Sequence, residues 1–376
     1  MKDSPVPLSC RGVWKLFGPD PAGFLARHGN APDNEAIAGA GLIGARHAQA
    51  IRAAHRTALA CVVDPSEAGR IVASAHDVPW FATLAQMLDA GLADGAILAT
   101  PNTLHADGGM ACIDAGLPVL VEKPLASDID SATRLVAHAK ARGVALATGH
   151  HRRHNPLIAK AKALIDEGAL GTIATVQGTT WFMKPDDYFA ADWRRQRGAG
   201  PVYLNLIHDI DLLQHFCGPV AEVQAMESRA VRGFEVEDTA VILLRFASGT
   251  LGTVNVCDTA VAPWSWELTA RENPAYPATG QDAYWLGGTH GALSVPNLAL
   301  WTNPAQRSWW EPISATRMVF DFADPLVCQA DQFADVILDG AAPLVSGRDG
   351  LAALAVIEAV KASAAGGGLT RVATCP

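Results

Sequence analysis

The stretch EAIAGAGLIG, Glu35 to Gly44, decides the fold. Gly39, Gly41 and Gly44 have the spacing G-x-G-x-x-G, follow an apolar run and precede a helical pattern. Glycines at these positions permit a tight strand-to-helix turn, close approach of a ligand to the backbone, and close packing of helix on strand. Glycine-rich turns are common, so the meaning of this one depends on its surroundings.

The surroundings predict a doubly wound α/β sheet of the Rossmann type. From Asn34 to about His150, apolar runs such as TALACVVD and DGAILATP alternate with helical patterns. The runs are short and do not alternate with polar residues, which indicates parallel strands buried on both faces. The segment SDIDSATRLVAHAKARG reads as a helix with Ser127 as its N-cap.

After Arg153 the pattern changes to one typical of an α+β domain with a mostly antiparallel sheet. The segments TIATVQGTTWF, TAVILLRFASGTLGTVNVCD and SWELTAR read as strands, with FASGTLG as a hairpin turn. Helices are expected at Pro156–Glu167, at Leu204–Phe216 and near the C-terminus. We therefore predict an appendage of unknown role at 1–33, a Rossmann domain at 34–153, a substrate-binding domain at 154–345 and a C-terminal helix and tail at 346–376.

Composition excludes several classes of function. The chain of 376 residues has a net charge of −9 and no run of basic residues, which argues against nucleic acid as a partner. No apolar run reaches the roughly 18 residues that a membrane span needs, and the N-terminus lacks the apolar core of a signal peptide. The cysteines are odd in number and scattered, which favours reduced thiols in a cytoplasmic enzyme without a metal site. They are Cys10, Cys61, Cys112, Cys217, Cys257, Cys328 and Cys375.

Asp64 ends the second strand, about twenty residues beyond the glycines, as a dinucleotide site requires. A carboxylate there accepts hydrogen bonds from both ribose hydroxyls of NAD and repels the 2′-phosphate of NADP. Leu42 and Ile43 lie in the turn itself, at the helix N-terminus that would face the phosphates. The alternative is a tight turn that binds nothing.

Further candidate residues follow two later strands, at the edge where open α/β sheets bind ligands. They are Thr100, Pro101, Asn102 and His105 in ATPNTLH, and Glu122 and Lys123 in VEKP. We expect them to contact the cofactor. The alternatives are an ordinary turn capped by Asn102 and a surface lysine.

Taken together, these motifs resemble the glucose–fructose oxidoreductase / inositol dehydrogenase / MocA family. The resemblance runs from about Asn34 to the end of the chain. It implies hydride transfer between NAD(P) and a carbinol of a sugar or cyclitol, and a homodimer or homotetramer formed through the C-terminal sheet. It also implies an active-site lysine, here Lys123, and a histidine on a helix that follows a glycine-rich segment. In GAGPVYLNLIHDID that histidine is His208.

His208 taken alone is more readily interpreted as a buried helix histidine, and only the resemblance favours a catalytic base. With it, His208 takes the hydroxyl proton and Lys123 stabilises the developing alkoxide. Many family members have an aspartate four residues before the histidine, where this chain has Leu204. Asn205, three residues before, faces the histidine and could bind a substrate hydroxyl. A second departure is Gln332, which replaces a histidine of the family pattern.

Two loops are candidates for a polar substrate pocket. In the first loop, WFMKPDDYFAADWRRQRG, the candidate residues are Lys184, Tyr188, Trp193 and Arg194. The segment Glu272–Pro277, ENPAYP, is a weaker candidate for a cap. The alternative for both is a surface loop anchored by aromatic side chains.

The leading hypothesis is therefore an NAD-dependent dehydrogenase of a small polyhydroxylated molecule. A second hypothesis is glycoside cleavage in which NAD is reduced only transiently. A third is a regulator that senses a nucleotide without catalysis, although such a protein need not keep both Lys123 and His208. The sequence does not identify the substrate or the direction of the reaction.

Overall fold

The computed structural model describes residues 33–374, which form two compact units. Unit 1 contains residues 33–154 and 324–351, and unit 2 contains residues 155–323 and 352–374. The predicted appendage 1–33 lies outside the described residues except for Asp33, which begins the first strand. The first strand therefore starts one residue earlier than predicted.

Unit 1 is built on six parallel strands in the order β3-β2-β1-β4-β5-β6. The strands are β1 (Asp33–Ala38), β2 (Thr57–Val63), β3 (Trp80–Phe81), β4 (Gly95–Leu98), β5 (Val119–Val121) and β6 (Leu146–Thr148). The helices are α1 (Leu42–Ala53), α2 (Glu67–His76), α3 (Leu84–Ala90), α4 (His105–Asp114), α5 (Ile129–Arg142) and, later in the chain, α9 (Pro325–Asp339). The strand order reverses between β1 and β4, so their carboxyl ends flank a crevice. The predicted Rossmann sheet is confirmed.

The strands of this sheet are apolar because both of their faces are covered. Ile37, Val62, Ile97 and Leu120 are at most 2% exposed and belong to one core cluster. Burial on both faces leaves no position where a polar side chain reaches water, which explains the continuous apolar runs of the sequence.

Two acidic residues of β1 break this rule. Asp33 is 1% exposed and Glu35 is fully buried, and no hydrogen bond from a described residue reaches the carboxyl oxygens of either one. Burial, and then the charge of Asp94, raises the pKa of Asp33 to about 8. Burial, and then the charge of Asp33, raises the pKa of Glu35 well above its usual value. Burial therefore favours the protonated form of both carboxyls in the folded protein.

The raised pKa of Glu35 predicts a pH-dependent cost of folding. Above about pH 5 the unfolded chain has released the Glu35 proton while the folded chain keeps it, so stability falls as pH rises. Glu35→Gln does not titrate, and its advantage over wild type should grow by about 1.4 kcal/mol per pH unit between pH 5 and pH 7. Urea unfolding of both proteins across this range measures the difference. Asp89→Asn, at an exposed position of α3, is the control, and a pH-independent difference for Glu35→Gln would contradict the prediction.

Helix α9 packs on unit 1 and not on the second domain, where the sequence placed it. Asp331 accepts hydrogen bonds from the backbone N–H groups of His55 and Arg56, at 2.7 and 3.1 Å. A Cβ added at Gly95 would lie 2.3 Å from Cδ1 of Ile337, so β4 approaches this helix closely. The predicted domain boundary at 345 followed chain order and missed this return of the chain to the first unit.

The N-cap of helix α5 is Asp128 and not Ser127. The Asp128 carboxylate accepts the N–H of Ser131 at 2.7 Å. Ser127 donates its hydroxyl to Asp128 at 3.1 Å instead. Serine and aspartate are both good N-caps, so the sequence alone does not decide which of these two neighbouring residues caps the helix.

Unit 2 is built on a nine-stranded sheet in the order β14-β13-β12-β11-β7-β10-β9-β8-β15. Only the β10–β7 pair is parallel among the described pairs, so the predicted mostly antiparallel sheet is confirmed. The strands are β7 (Ile173–Trp181), β8 (Val220–Ser228), β9 (Thr239–Phe246), β10 (Leu251–Cys257), β11 (Tyr284–Gly288), β12 (Gly291–Val295), β13 (Ala299–Thr302), β14 (Ser314–Arg317) and β15 (Thr370–Arg371). β9 and β10 pair as the hairpin that FASGTLG predicted.

One face of this sheet is covered by helices. They are α6 (Pro156–Asp166), α7 (Ile207–Cys217) and part of α10 (Gly347–Gly366), with α8 (Trp266–Thr269) as a single turn. Leu157, Leu213 and Val356, one from each long helix, share a core cluster with Ile242 of β9. The other face leaves alternate strand residues exposed, as in the pattern of β9.

The segment SWELTAR is a helical turn, and the prediction of a strand there was wrong. Ser265 caps α8 by accepting the N–H of Leu268 at 3.4 Å. Trp266 is 1% exposed and packs in the core of unit 2. A serine cap before a short mixed run is a helix start, but so short an apolar run does not distinguish a helix from a strand.

Candidate active site

Close contacts with backbone atoms require two of the three glycines in the turn between β1 and α1. Gly39 has φ +98°, and a Cβ there would lie 2.4 Å from the carbonyl oxygen of Ala99. A Cβ on Gly44 would lie 1.8 Å from the carbonyl oxygen of Gly39. Gly41 faces open space and is the N-cap of α1 without a side-chain cap. Leu42 is 90% exposed and Ile43 half-buried, so the first turn of α1 offers its backbone N–H groups to a ligand.

Asp64 stands at the end of β2, directly beside this turn. Its carboxylate accepts the N–H of Ala40 and the N–H of Ser66, each at 2.8 Å. Burial raises the pKa of Asp64, but hydrogen bonds from Ser66 and Ala40 outweigh burial and bring the pKa below its usual value. The carboxylate is therefore ionised at neutral pH. Oδ1 also accepts the hydroxyl of Ser66, whereas Oδ2 keeps a lone pair for a further donor.

A cavity of about 550 Å³ opens beside Asp64 within unit 1. Its walls come from the carboxyl ends of β1, β2 and β4 and from α4. The residues that line it include Gly39, Val63, Asp64, Leu98, Thr100 and Pro101. A partly apolar cavity that contains the ionised carboxylate of Asp64 and a glycine turn fits the nucleoside half of a dinucleotide.

Asn102 and His105 do not line this cavity. Asn102 begins a short 3₁₀ turn. His105 is 1% exposed, and its ring nitrogens lie 2.8 Å from the carbonyl oxygens of Thr100 and Pro124. His105 therefore ties the turn after β4 to the turn after β5. Its place in the motif had suggested a direct contact with the cofactor.

The two residues of the VEKP segment differ in their surroundings. Lys123 is half-buried at the end of β5, joined to Pro124 by a cis peptide bond. Glu122 is 4% exposed, and its carboxylate lies 2.8 Å from Nε2 of His47 on α1. Lys123 thus stands at the sheet edge, whereas the carboxylate of Glu122 is turned into the interior.

His208 lies in unit 2, in the first turn of α7, and is 6% exposed. The preceding residues Val202–Leu206 form a π-helical turn, a feature often found at functional sites. The neighbouring Asp209 is committed elsewhere, because it accepts hydrogen bonds from Thr180 at 2.8 Å and from the hydroxyl of Tyr284. Asp211 is also buried.

Asn205 belongs to the π-helical turn, three residues before His208. Its Nδ2 donates to Oε1 of Glu267 at 3.4 Å. Its Oδ1 is buried and accepts no hydrogen bond from the described residues. Glu267, from the mispredicted segment SWELTAR, was missed by the sequence analysis, which offered no signal for it.

Two of the residues predicted for a substrate pocket, Lys184 and Arg194, lie over the ring of Tyr188 in unit 2, and Arg194 also lies over the ring of Trp193. The guanidinium carbon of Arg194 lies 4.1 Å from the Tyr188 ring centroid and 5.4 Å from that of Trp193. Nζ of Lys184 lies 5.2 Å from the Tyr188 centroid and 3.4 Å from Oδ2 of Asp258. Burial lowers the pKa of Lys184, although the charge of Asp258 opposes this.

The ion pairs beside the Tyr188 ring were not predicted from the sequence. Arg232 pairs with Asp258 and also donates to the carbonyl oxygen of Lys184 at 2.9 Å. The weaker cap candidate is partly structural, since Glu272 accepts the indole N–H of Trp266 at 2.7 Å. Tyr276 of the same segment packs edge-on against Phe182 at 5.1 Å, so the two candidate loops are in contact.

Metal-binding groups, disulfides and membrane-spanning helices are absent from residues 33–374. In the described part of the chain, no group of three or more His, Cys, Asp and Glu side chains is arranged to hold a metal. The five cysteines between residues 33 and 374 form no disulfide. No described helix is both long and apolar enough to cross a membrane.

Comparisons with known proteins agree with this architecture. The family description "Oxidoreductase family, NAD-binding Rossmann fold" matches residues 34–150, and "GFO/IDH/MocA C-terminal domain" matches residues 158–294. The rhizopine catabolism protein MocA of Rhizobium meliloti is 26% identical over 86% of this chain and 92% of its own. Inositol 2-dehydrogenase 1 of Saccharopolyspora erythraea is 26% identical over 86% of this chain and 91% of its own.

A solved structure shows the same arrangement along nearly the whole described chain. The WlbA dehydrogenase of Bordetella pertussis, in complex with NADH and UDP-GlcNAcA, is similar with a TM-score of 0.73 and 26% identity. The similarity covers 91% of this chain and 99% of that one. The two family matches, the relatives and the Rossmann sheet with its glycine turn lead to one conclusion: this chain belongs to the Gfo/Idh/MocA family of NAD-binding oxidoreductases.

Proposed function

We propose that the chain is an NAD-dependent dehydrogenase that oxidises a carbinol of a small polyhydroxylated molecule, such as a sugar or cyclitol. His208 is the base that takes the hydroxyl proton, and Lys123 stabilises the developing alkoxide. Asn205 binds a neighbouring substrate hydroxyl. The relatives named for inositol oxidation support this substrate class.

The proton and charge movements follow from ordinary alcohol chemistry. As the carbinol loses its hydride to the nicotinamide, which supplies the hydride acceptor, its hydroxyl must lose a proton. A neutral imidazole at position 208 accepts that proton. A lysine ammonium is positively charged and favours the oxygen when negative charge builds up on it.

The observation that carries the proposal is the state of the acidic neighbour of His208. Asp209 is fully buried and held by Thr180 and Tyr284. This leaves the histidine as the side chain of that pair suited to exchange a proton with a substrate. Asn205 lies three residues before His208, within the π-helical turn that leads into the helix.

The proposed function is tested by offering NAD with a panel of myo-inositol, D-glucose and levoglucosan. Steady accumulation of NADH with an unmodified polyol supports a dehydrogenase. Release of p-nitrophenol from nitrophenyl glycosides without net NADH would favour NAD-assisted glycoside cleavage instead. NAD binding without either reaction would favour a nucleotide-sensing regulator.

Asp64 leads us to propose NAD as the cofactor over NADP. The ionised carboxylate accepts ribose hydroxyls and repels a 2′-phosphate. The cation that could offset it, Arg70, stacks on the Trp80 ring with its guanidinium carbon 4.1 Å from the centroid. Fluorescence titration should show tighter binding of NADH than of NADPH, and Asp64→Asn should narrow the gap. Equal affinity of the wild type for both cofactors would contradict the proposal.

We also propose that the chain forms a homodimer or homotetramer through the open face of the unit 2 sheet. Apolar side chains stand next to one another on that face, where β8, β9 and β10 are paired. Met226, Val241, Leu243 and Leu251 are between 48% and 78% exposed. Contiguous exposed apolar area on a strand surface is typical of a protein interface.

Glutamates on this face should dissociate the oligomer. The double variant Val241→Glu, Leu243→Glu places two charges where a second copy would bury them, at a high desolvation cost. Light scattering should report a monomer for this variant and an oligomer for the wild type. Leu92→Glu, at an exposed position of unit 1, is the control and should remain oligomeric.

A further inference from the structure

A buried histidine–carboxylate pair connects α1 with the end of β5. Nε2 of His47 lies 2.8 Å from Oε1 of Glu122. The two side chains are 1% and 5% exposed, and both belong to unit 1. His47 lies in the second turn of α1, the helix that begins at the glycine turn. Glu122 directly precedes Lys123.

Both carboxylate oxygens of Glu122 have donors in the interior. Oε1 faces His47, and Oε2 accepts the backbone N–H of Lys123 at 3.1 Å. A buried carboxylate is costly unless such donors are present. Burial raises the pKa of Glu122, but the hydrogen bond and charge of His47 outweigh it and bring the pKa below its usual value. Glu122 is therefore an anion that holds the backbone of the lysine.

The space beside the carboxylate of Glu122 is narrow on the side of β6. A Cβ on Gly149, the residue after β6, would lie 2.6 Å from Oε1 of Glu122. Gly149 also donates its N–H to the carbonyl oxygen of Val121 at 2.8 Å, which fixes it against β5. A side chain at position 149 would displace the carboxylate from His47.

The nearby ionisable groups define the charge around Glu122. Lys123 adds a positive charge beside it. The pKa of His151 is lowered to about 3, by burial first, against the opposing charge of Glu122. His151 is therefore neutral at physiological pH. Glu122 is the anion of this cluster, and His47 is its side-chain hydrogen-bond partner.

We propose that His47 is a positioning residue, which acts through the buried carboxylate of Glu122 to fix the backbone of Lys123 relative to the helix that receives the cofactor's pyrophosphate. The inference rests on the proposed function, because it assigns Lys123 to the substrate oxygen. It adds that the cofactor helix and the reactive lysine are coupled by one buried link. His47 itself touches neither cofactor nor substrate in this scheme.

The test compares His47→Leu with His47→Gln. Leucine removes the donor, whereas the glutamine amide can restore it. Turnover of the polyol that the wild type oxidises best should fall about 10- to 100-fold in His47→Leu, since a small misplacement of a reactive group costs this much. The alkaline limb of the kcat profile should move to lower pH, because Lys123 loses the anion that favours its charge. The affinity for NADH should change by less than threefold, and His47→Gln should recover most of the activity.

The matched control is His138→Leu. His138 pairs with Asp114 at 2.9 Å in the same unit, but both lie at the surface. This variant should behave as wild type. If His47→Leu also retained wild-type turnover and pH dependence, the inference would be overturned. It would also be overturned if NADH affinity fell in parallel with turnover, because that result means that the helix itself is damaged.

A measurement without turnover separates this inference from the proposed function. In infrared spectra at pH 7, His47→Leu should show an additional band of a protonated carboxylic acid, over and above those of Asp33 and Glu35, that disappears when Glu122→Gln is added. Wild type and His47→Gln should lack it. If the wild type oxidises no polyol, the proposed function fails, and the infrared comparison still decides whether His47 keeps Glu122 ionised. Should His47→Leu not fold, Glu122→Gln alone keeps one acceptor oxygen, replaces the other with an NH2 donor, removes the charge and must show the same alkaline shift in turnover.

Discussion

Lys123→Met should lower turnover by about 10²- to 10³-fold or more, the usual cost of removing a group that stabilises a developing oxyanion. Methionine has nearly the length of lysine and remains compatible with the half-buried position at the end of β5. It carries no charge, so the alkoxide that forms as hydride leaves would lose its electrostatic partner. The loss should appear in kcat, because the interaction strengthens as the transition state is reached.

The affinity of Lys123→Met for NADH should stay within a few-fold of wild type. The cavity beside Asp64 and the glycine turn are formed by other residues. Lys140→Met, at an exposed position of α5, controls for the loss of a lysine. Fluorescence titration and steady-state kinetics on the same preparations separate binding from chemistry. Turnover of Lys123→Met equal to that of Lys140→Met would remove Lys123 from the mechanism.

The sequence predicted those parts of the molecule that depend on local chain geometry. The glycine spacing predicted the turn, and the structure shows why a Cβ at Gly39 or Gly44 would collide with backbone. Apolar runs predicted the parallel sheet, and alternation predicted the antiparallel one. These patterns are visible in the sequence because the polarity of each strand residue indicates whether that residue is buried.

The sequence could not predict the direction in which a side chain of a correctly placed motif points. His105 and Glu122 both lie at the sheet edge where ligands bind, and both were expected to contact the cofactor. In the structure His105 faces two carbonyl oxygens and Glu122 faces His47. These contacts join segments far apart in the chain, so no local pattern reveals them.

Contacts between distant segments also account for the remaining errors. The assignment of α9 to unit 1 depends on Asp331 binding the backbone near His55, 276 residues away. Asn205 meets Glu267 from a turn that was predicted as a strand. The acidic residues Asp33 and Glu35 did not stand out in the sequence, because a strand that begins at the protein surface tolerates acidic residues at its start. Only the structure shows that they are buried.

The structure sharpens the interpretation of the polar substrate pocket. Lys184 was expected to face a substrate, but it is 6% exposed and lies beside Asp258. Its charge is therefore largely used within the protein. Trp193 is 53% exposed, whereas Arg194 is half-buried and donates to the carbonyl oxygen of Tyr188 at 2.6 Å. A neutral polyol, which needs hydrogen bonds more than charge, suits such a surface.

His208→Asn should lower the oxidation rate by about 10²- to 10⁴-fold, the usual contribution of a general base. Asparagine preserves much of the size and polarity of the ring but accepts no proton. The acidic limb of the kcat/KM profile should disappear with it, because that limb reports protonation of the base in the free enzyme. NADH affinity should remain within a few-fold, since His208 belongs to unit 2 and the glycine turn to unit 1.

Asp209→Asn is the matched comparison for His208→Asn, one residue further along α7. The buried Asp209 accepts hydrogen bonds from Thr180 and Tyr284, so its replacement should lower the unfolding temperature while the acidic limb persists. The two variants thus separate a proton acceptor from a structural anchor, and kinetics and thermal unfolding must be measured on both. If His208→Asn kept the limb and Asp209→Asn lost it, the base would be the aspartate. The burial of Asp209 at 0% exposure argues against that outcome, because a general base must lie within hydrogen-bonding reach of the substrate hydroxyl.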